Sequence, residues 1–239
     1  MKIQTLLASL FVSGAAMAQT PTIKPIVMKT PNEFQILAAS GNGKWACGTY
    51  SDYSNVQYGF LWNLETGEIE MLDPSKPSVA WSVSDDGLVV GQYEDTSYKS
   101  NGAAVELAGY WANGKWNRFE MPSDEVSGAG AASISPDGHY VTGHVEESGI
   151  YTGYIWKDGK IVKELINTNC SMPYAIAPDG QSAAGWIERD NRTACIWETD
   201  GEVTFLSDYQ SPWSSARKYT HDGKNLLYWG GWDDMEAEN

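Results

Sequence analysis

The chain has 239 residues, 42% of them hydrophobic and 12% aromatic, and carries 16 Lys and Arg against 31 Asp and Glu, a formal net charge of −15. So acidic a chain repels polyanions, which argues against a nucleic-acid partner and against binding to an anionic membrane surface. The three cysteines, Cys47, Cys170 and Cys195, show no CxxC spacing. Cys170 and Cys195 form the one candidate disulfide within a single repeat, but burial as small apolar groups is the better interpretation.

The first 18 residues have the parts of a secretory signal peptide. Lys2 supplies the positive charge, residues 5–12 form a short apolar run, and Ala16 to Ala18 have the small-x-small pattern of a cleavage site. The run is shorter than the roughly 20 residues that span a bilayer, and no later segment reaches that length. We expect cleavage after Ala18 and no membrane insertion. The remaining chain, 19–239, is expected in the periplasm, outside the cell or at its surface.

Most of this remaining chain is an internal repeat of roughly 40–50 residues. The units cover about residues 34–73, 79–121, 131–166 and 174–207, and a partial unit covers 214–239. An Asn-Gly or Asp-Gly dipeptide recurs in each, with its glycine at Gly43, Gly87, Gly138, Gly180 and Gly223. A tryptophan recurs later in the four complete units, as Trp62, Trp111, Trp156 and Trp197. Because both spacing and order are kept, the units are true repeats.

Each unit predicts four short strands. The Asn-Gly and Asp-Gly dipeptides are expected to join the first two strands as tight hairpins with two successive positive-φ residues. A second glycine turn precedes the fourth strand, at Gly67, Gly114, Gly159 and Gly201. No segment shows a convincing helical stripe. Four strands per repeat of this length predict an all-β fold, a β-propeller with four-stranded blades and about 4.5 repeats. A sandwich or irregular barrel is the alternative, but neither accounts for the regular spacing.

The third unit gives the clearest motifs, Ile-Ser-Pro-Asp-Gly at 134–138 and Gly-Tyr-Ile-Trp at 153–156. This pattern resembles the extracellular HAF-type repeat of secreted bacterial proteins. The resemblance implies propeller blades and an exported location, and it implies no catalytic residues. The fifth unit has only its first hairpin and an acidic tail, and residues 22–29 are a candidate strand to complete it. Whether the chain is a truncated form of a longer protein stays open.

No catalytic or metal-binding motif stands out. His139 and His144 lie five positions apart on one predicted strand, so they are expected to face opposite sides, and His221 lies in another unit. Neither a metal site nor a cofactor is predicted. The chain has no nucleophile elbow, phosphate-binding loop or dinucleotide fingerprint. The enzymatic alternative is a carbohydrate-active enzyme with two carboxylates at the propeller channel, but no particular pair is indicated.

Aromatic residues are the candidate binding groups. The four repeated tryptophans are assigned to packing between blades, so aromatic residues outside the repeat pattern are better candidates. We select Tyr93, Tyr98, Trp186 and Trp213. Exposed rings can stack on sugars or anchor a protein partner. The sequence therefore predicts an exported, non-enzymatic binding or scaffold propeller for a protein or glycan ligand.

Overall fold

The computed structural model describes residues 33–100, 102–165, 170–189, 191–198, 200–206 and 213–229. The predicted signal peptide at 1–18, the candidate strand at 22–29 and the acidic tail lie outside these residues. Within them the chain forms strands and turns only. A helix able to cross a membrane is accordingly not found in this part of the chain.

Four sheets of four antiparallel strands follow one another along the chain, and a two-stranded hairpin comes last. Blade 1 contains β1 (Glu33–Ala39), β2 (Trp45–Ser51), β3 (Gln57–Asn63) and β4 (Ile69–Met71). Blade 2 contains β5 (Ser78–Val83), β6 (Val89–Ser100), β7 (Ala103–Ala112) and β8 (Lys115–Arg118). Blade 3 contains β9 (Gly128–Ile134), β10 (Tyr140–Glu147), β11 (Ile150–Lys157) and β12 (Lys160–Leu165). Blade 4 contains β13 (Ser171–Ile176), β14 (Ala183–Glu188), β15 (Arg192–Trp197) and β16 (Val203–Phe205). Hairpin 5 contains β17 (Ser215–Tyr219) and β18 (Leu226–Trp229).

The strands of each blade are paired in chain order, and the first strands of successive blades contact one another. This arrangement places β1, β5, β9, β13 and β17 innermost, around a common axis. The predicted all-β propeller with four-stranded blades is confirmed, and the last described unit is the two-stranded hairpin 5.

Trp111, Trp156 and Trp197 pack against the preceding blade, as predicted. Trp62, Trp156 and Trp197 are buried. The indole N–H of Trp156 donates to the backbone oxygen of Glu120, which follows blade 2, at 2.8 Å. Each such ring removes a large apolar area from water at the joint between two sheets, which stabilises the stacking of blades.

Cys47 and Cys195 are free thiols buried in the core. Burial raises the pKa of Cys47 to about 12 and also raises that of Cys195, so both stay protonated at neutral pH. Because Cys195 is a free thiol, the candidate disulfide with Cys170 is not formed.

Serine and aspartate side chains shape the turn that joins the first two strands of a blade. In blade 3 the Ser135 hydroxyl donates to Asp137 Oδ1 at 2.5 Å and accepts from the backbone N–H of Tyr140 at 2.9 Å. Asp137 Oδ1 also accepts from the backbone N–H of His139 at 3.1 Å. The side chains thus accept hydrogen bonds from backbone N–H groups of the turn that have no partner in the neighbouring strand. This explains the Ser-x-Asp-Gly pattern of the turn.

The backbone of these turns differs from the prediction. Gly138 has a φ of 79°, but Asp137 is not among the residues with positive φ, so the expected pair of successive positive-φ residues is wrong here. The aspartate side chain binds the backbone two residues on, and this contact holds its own φ negative. Two successive positive-φ residues occur instead at Asn113-Gly114 and Asp158-Gly159, before the fourth strands of blades 2 and 3, and at Ser148-Gly149, between β10 and β11.

Asp85 links the turns of four units at one end of the axis. Its Oδ1 accepts from the backbone N–H of Asn42 at 2.9 Å, and its own N–H donates to the backbone oxygen of Pro136 at 2.9 Å. His221 Nε2 of hairpin 5 lies 3.7 Å from Asp85 Oδ2. Gly41 makes this reach possible, because a Cβ there would lie 1.8 Å from His221 Nδ1. Hairpin 5 thus contacts blade 2 through His221 and Asp85, beside Gly41 of blade 1.

We expect Asp85→Ala to lower the free energy of unfolding by about 1–3 kcal/mol, because it removes the acceptor for the backbone N–H of Asn42 and the contact with His221. Asp86→Ala is the matched control, since it removes the same charge from the neighbouring turn position and should cost about 0.5 kcal/mol or less. Urea unfolding followed by tryptophan fluorescence measures both. Equal losses in the two variants would contradict the assigned role of Asp85.

Candidate functional site

Each innermost strand contains a β-bulge at the same place in the repeat. In blade 1, Ile36 pairs with Gly48 and Ala38 pairs with Cys47, so Leu37 is an extra residue without a partner in the register. The same shift occurs in the other units, where the extra residues are Trp81, Ala132, Tyr174 and Arg217. A bulge re-aims the side chain of the extra residue. Five side chains of different chemistry therefore occupy equivalent positions around the axis.

All five bulged residues line one cavity of about 440 Å³ on the propeller axis. We call it the axial cavity. Its wall also includes Ser82, Gln92, Gly130, Ser133, His144 and Lys218. The volume lies within the roughly 300–1,000 Å³ of pockets that hold small molecules. A cavity to which every unit contributes, at the convergence of the inner strands, is the strongest candidate site in the described part of the chain.

A glycine on the second strand of each blade accommodates the bulge. In blade 3 a Cβ on Gly143 would lie 2.0 Å from the backbone oxygen of Gly130, closer than any side chain allows. Glycines in the other blades face the corresponding carbonyl at 1.9–2.1 Å, namely Gly48, Gly91 and Gly185. Hairpin 5 departs from this rule, since Tyr228 pairs with Ala216 at the equivalent place. The recurring glycine therefore allows the backbone geometry that directs side chains into the cavity.

Trp81 is held at the cavity wall by a short chain of hydrogen bonds. Its indole N–H donates to Gln92 Oε1 at 3.2 Å, and Gln92 Nε2 donates to Glu106 Oε2 at 2.7 Å. The indole is nevertheless 39% exposed. A large aromatic face is thus fixed in orientation and still accessible, so a ligand can stack on it without ordering the side chain first.

His144 contributes a neutral imidazole to the wall. Burial lowers the pKa of His144 to about 4, so the ring is uncharged at pH 7. Its ring centroid lies 5.4 Å from that of Tyr151. Gly130 keeps the space beside it open, since a Cβ there would lie 3.0 Å from His144 Cε1. A neutral imidazole offers one hydrogen-bond donor and one acceptor.

Arg217 and Tyr174 form a cation–aromatic pair at the edge of the cavity. The guanidinium carbon of Arg217 lies 4.5 Å from the centroid of the Tyr174 ring and 5.9 Å from that of Trp229. The Tyr174 hydroxyl accepts a hydrogen bond from the indole N–H of Trp186 at 3.3 Å. Contacts of this kind hold the arginine by its apolar faces and leave its N–H groups available for a ligand.

Two of the predicted binding residues lie beside this pair. Trp186 and Trp213 flank the guanidinium of Arg192, whose carbon is 4.5 Å and 4.9 Å from the two ring centroids. Trp186 is buried, whereas Trp213 is 52% exposed. They border a small cleft that shares Tyr174 and Arg217 with the axial cavity.

The other two predicted residues lie in blade 2, apart from this cluster. Tyr93 is buried and stacks on Trp116, with ring centroids 5.5 Å apart. Tyr98 lines an open groove of about 600 Å³, where the Arg118 guanidinium lies 5.4 Å from its ring centroid. The four residues therefore do not form one surface, and their role in binding stays a prediction.

The groove at Tyr98 also contains the carboxylates of Glu120, Asp124 and Asp158. Glu120 Oε2 accepts from the backbone N–H of Ile161 at 2.8 Å, and Asp158 Oδ1 lies 2.7 Å from His139 Nδ1. Two of these carboxylates are thus engaged in local structure. Among the described residues, no three His, Cys, Asp or Glu side chains are grouped so that they could hold a metal ion.

The bulged residues are the candidate site residues that sequence reasoning missed. Each lies three positions before the first residue of its Ser-x-Asp-Gly-type turn, as Trp81 lies before Ser84 and Tyr174 before Ala177. An alignment of the units on their turns brings Leu, Trp, Ala, Tyr and Arg into one column. That variety in an otherwise regular repeat is the signal that could have identified them.

Neither a family model nor a curated protein matches the chain. Solved structures match it in fold. The crystal structure of TolB from Acinetobacter baumannii is 16% identical, with a TM-score of 0.50 over 84% of this chain and 55% of that one. A protein from Agrobacterium tumefaciens assigned as TolB is also 16% identical, with a TM-score of 0.50 over 71% of this chain and 63% of that one. The chain thus spans under two thirds of each, and at this identity the likeness shows that it shares the β-propeller fold.

Proposed function

We propose that the protein is a non-enzymatic binding propeller that holds its ligand in the axial cavity. The observation that carries the proposal is the convergence of five bulged side chains, one from each unit, on a single cavity of about 440 Å³. A packing role alone would favour similar apolar residues at equivalent places. Instead Trp81, Tyr174 and Arg217 present an indole, a phenol and a guanidinium, groups that dominate binding energy at recognition sites.

Export is part of the proposal. It is supported by the signal pattern at 1–18 and by the resemblance of the units to HAF-type repeats of secreted bacterial proteins. Binding outside the cytoplasm agrees with the acidic charge, which favours solubility. The proposed ligand is a protein segment or a glycan met in the periplasm or beyond.

An array of glycans and peptides probed with the exported chain, whose first residue we expect to be Gln19, tests the proposal. Trp81→Ala should lower the affinity for every retained ligand at least tenfold, because it removes the exposed stacking face of the cavity. Tyr53→Ala is the matched control, since Tyr53 is 90% exposed on a loop away from the axis and should be neutral.

Two results would contradict the proposal. If ligands are retained equally by Trp81→Ala and by the wild type, the ligand site is not in the axial cavity. If the wild type releases chromophore from chromogenic glycosides with steady turnover, the protein is an enzyme and the carbohydrate-active alternative takes its place.

A further inference from the structure

The axial cavity carries positive charge in a strongly acidic protein. Arg217 and Lys218 both lie on its wall, and none of its lining residues is Asp or Glu. Within the described residues neither cation forms an ion pair with a carboxylate. His144 is neutral at pH 7, so these two side chains are the charged groups among the lining residues, and the nearby carboxylate of Glu106 is hydrogen-bonded to Gln92 at 2.7 Å. An anionic group fits this place better than a neutral or cationic one.

The geometry of the Arg217 guanidinium favours a carboxylate as the anionic group. The Arg217 guanidinium is fixed over Tyr174 at 4.5 Å, so its planar set of N–H donors is oriented before any ligand arrives. A guanidinium binds a carboxylate through two parallel hydrogen bonds, and Lys218 adds a point charge beside it.

The rest of the wall suits a hydroxyl-rich ring. Trp81 offers an exposed, hydrogen-bonded indole on which the apolar C–H face of a sugar can pack. Gln92, Ser82 and Ser133 add neutral donors and acceptors around it. With a volume of about 440 Å³ the cavity has room for about two sugar rings.

We propose that the axial cavity binds a uronic-acid unit of an acidic glycan, with its carboxylate at Arg217 and Lys218 and its ring on Trp81. This inference rests on the proposed binding function and specifies its ligand class. A peptide with acidic side chains would satisfy the two cations but would leave the stacking face and the ring of neutral polar groups without a matching partner.

Calorimetric titration of the full chain with a galacturonic acid trisaccharide and with the matched neutral galactose trisaccharide tests the inference. We expect the acidic trisaccharide to bind at least tenfold more tightly at 50 mM salt, with the preference shrinking at 300 mM because screening weakens the charge pairing. Lys218→Gln and Arg217→Gln should each lower its affinity at least fivefold. Lys224→Gln, at an exposed turn of the same hairpin, should leave it unchanged.

Arg217 also packs on Tyr174 and Trp229, so Arg217→Gln can disturb local structure. Lys218→Gln does not remove such a contact, and a thermal melt equal to that of the wild type establishes that its effect is on binding. Equal affinity for the acidic and neutral trisaccharides, lost in Trp81→Ala, would overturn the carboxylate assignment and leave the binding function standing. If only an acidic peptide binds, and Lys218→Gln weakens it, the sugar assignment is wrong. If no array member binds in the cavity, both the inference and the proposed function fail.

Discussion

Gly143→Ala should lower the free energy of unfolding by about 3 kcal/mol or more. The new Cβ would lie 2.0 Å from the backbone oxygen of Gly130 and 2.8 Å from the Cα of Ala131. Neither atom can turn aside as a side chain could, so β9 and β10 must separate at the bulge or the bulge must be lost. Because the bulged residue of this strand is Ala132, the change should also disturb the wall of the axial cavity.

Gly128→Ala is the matched control for this prediction. Gly128 lies on the same inner strand, but the atom nearest to its added Cβ is the movable Glu146 Oε2 at 3.2 Å. We expect a change within about 1 kcal/mol, since the carboxylate can shift and alanine also restricts the unfolded chain. Urea unfolding by circular dichroism measures both. Similar midpoints for Gly143→Ala and the wild type would show that the glycine is not required by the bulge.

Acidification from pH 7 to pH 5 should cost the wild type about 2 kcal/mol of stability through His144 alone. Burial lowers the pKa of His144 to about 4, whereas in the unfolded chain the pKa is near the ordinary 6.5. Between these values the unfolded state binds a proton that the folded state does not, so stability is present above pH 6.5 and is lost as the pH falls towards 4. Thermal melts at half-unit pH intervals measure the effect, and His144→Gln should flatten the slope.

His139→Gln provides a contrast of opposite sign. A hydrogen bond to Asp158, together with its charge, raises the pKa of the exposed His139. Its contribution is therefore present below pH 6.5 and is lost as the pH rises, so the variant should lose more stability on acidification than the wild type. Lowered carboxyl pKa values, such as that of Asp137, affect stability only at lower pH and not between pH 7 and pH 5.

If stability falls with pH equally steeply in the wild type and in His144→Gln, the role assigned to His144 is wrong.

Residues that recur in every repeat were predicted correctly, whereas aromatic residues outside the repeat pattern were not reliable candidates for binding. Gly138 and Trp156 recur in register because every blade has the same two requirements, a positive φ in the turn and a large side chain at the joint between blades. Tyr93 and Trp186, chosen because they lie outside that pattern, are buried and pack within blades 2 and 4. An aromatic residue outside the repeat pattern can thus still be ordinary core. Trp81 is at a repeat position and yet faces the cavity.

The bulge could not be read from a single unit. Simple alternation of side chains along β5 would assign the Trp81 side chain to one face of the sheet. The register shift between Ala80 and Ser82 makes Trp81 an extra residue and changes the direction in which its side chain points. The shift arises where the inner strand pairs with the second strand, and Gly91 marks it only once that pairing is known. The sequence contains the glycine; the reason for it lies in the backbone oxygen opposite.

Sequence alone was sufficient for the all-β repeat, the blade of four strands, the glycine turns and the packing tryptophans, because each is set by residues close together in the chain and repeated at a constant period. The tertiary structure decided which side chains meet. Leu37 and Arg217 come from opposite ends of the described chain and face one cavity only because the inner strands surround a common axis. The pair of Asp85 with His221 likewise depends on that ring and on the space left by Gly41. The inner strands meet around the axis and bring together residues that are far apart in the chain, so a local sequence pattern does not predict which of them come into contact.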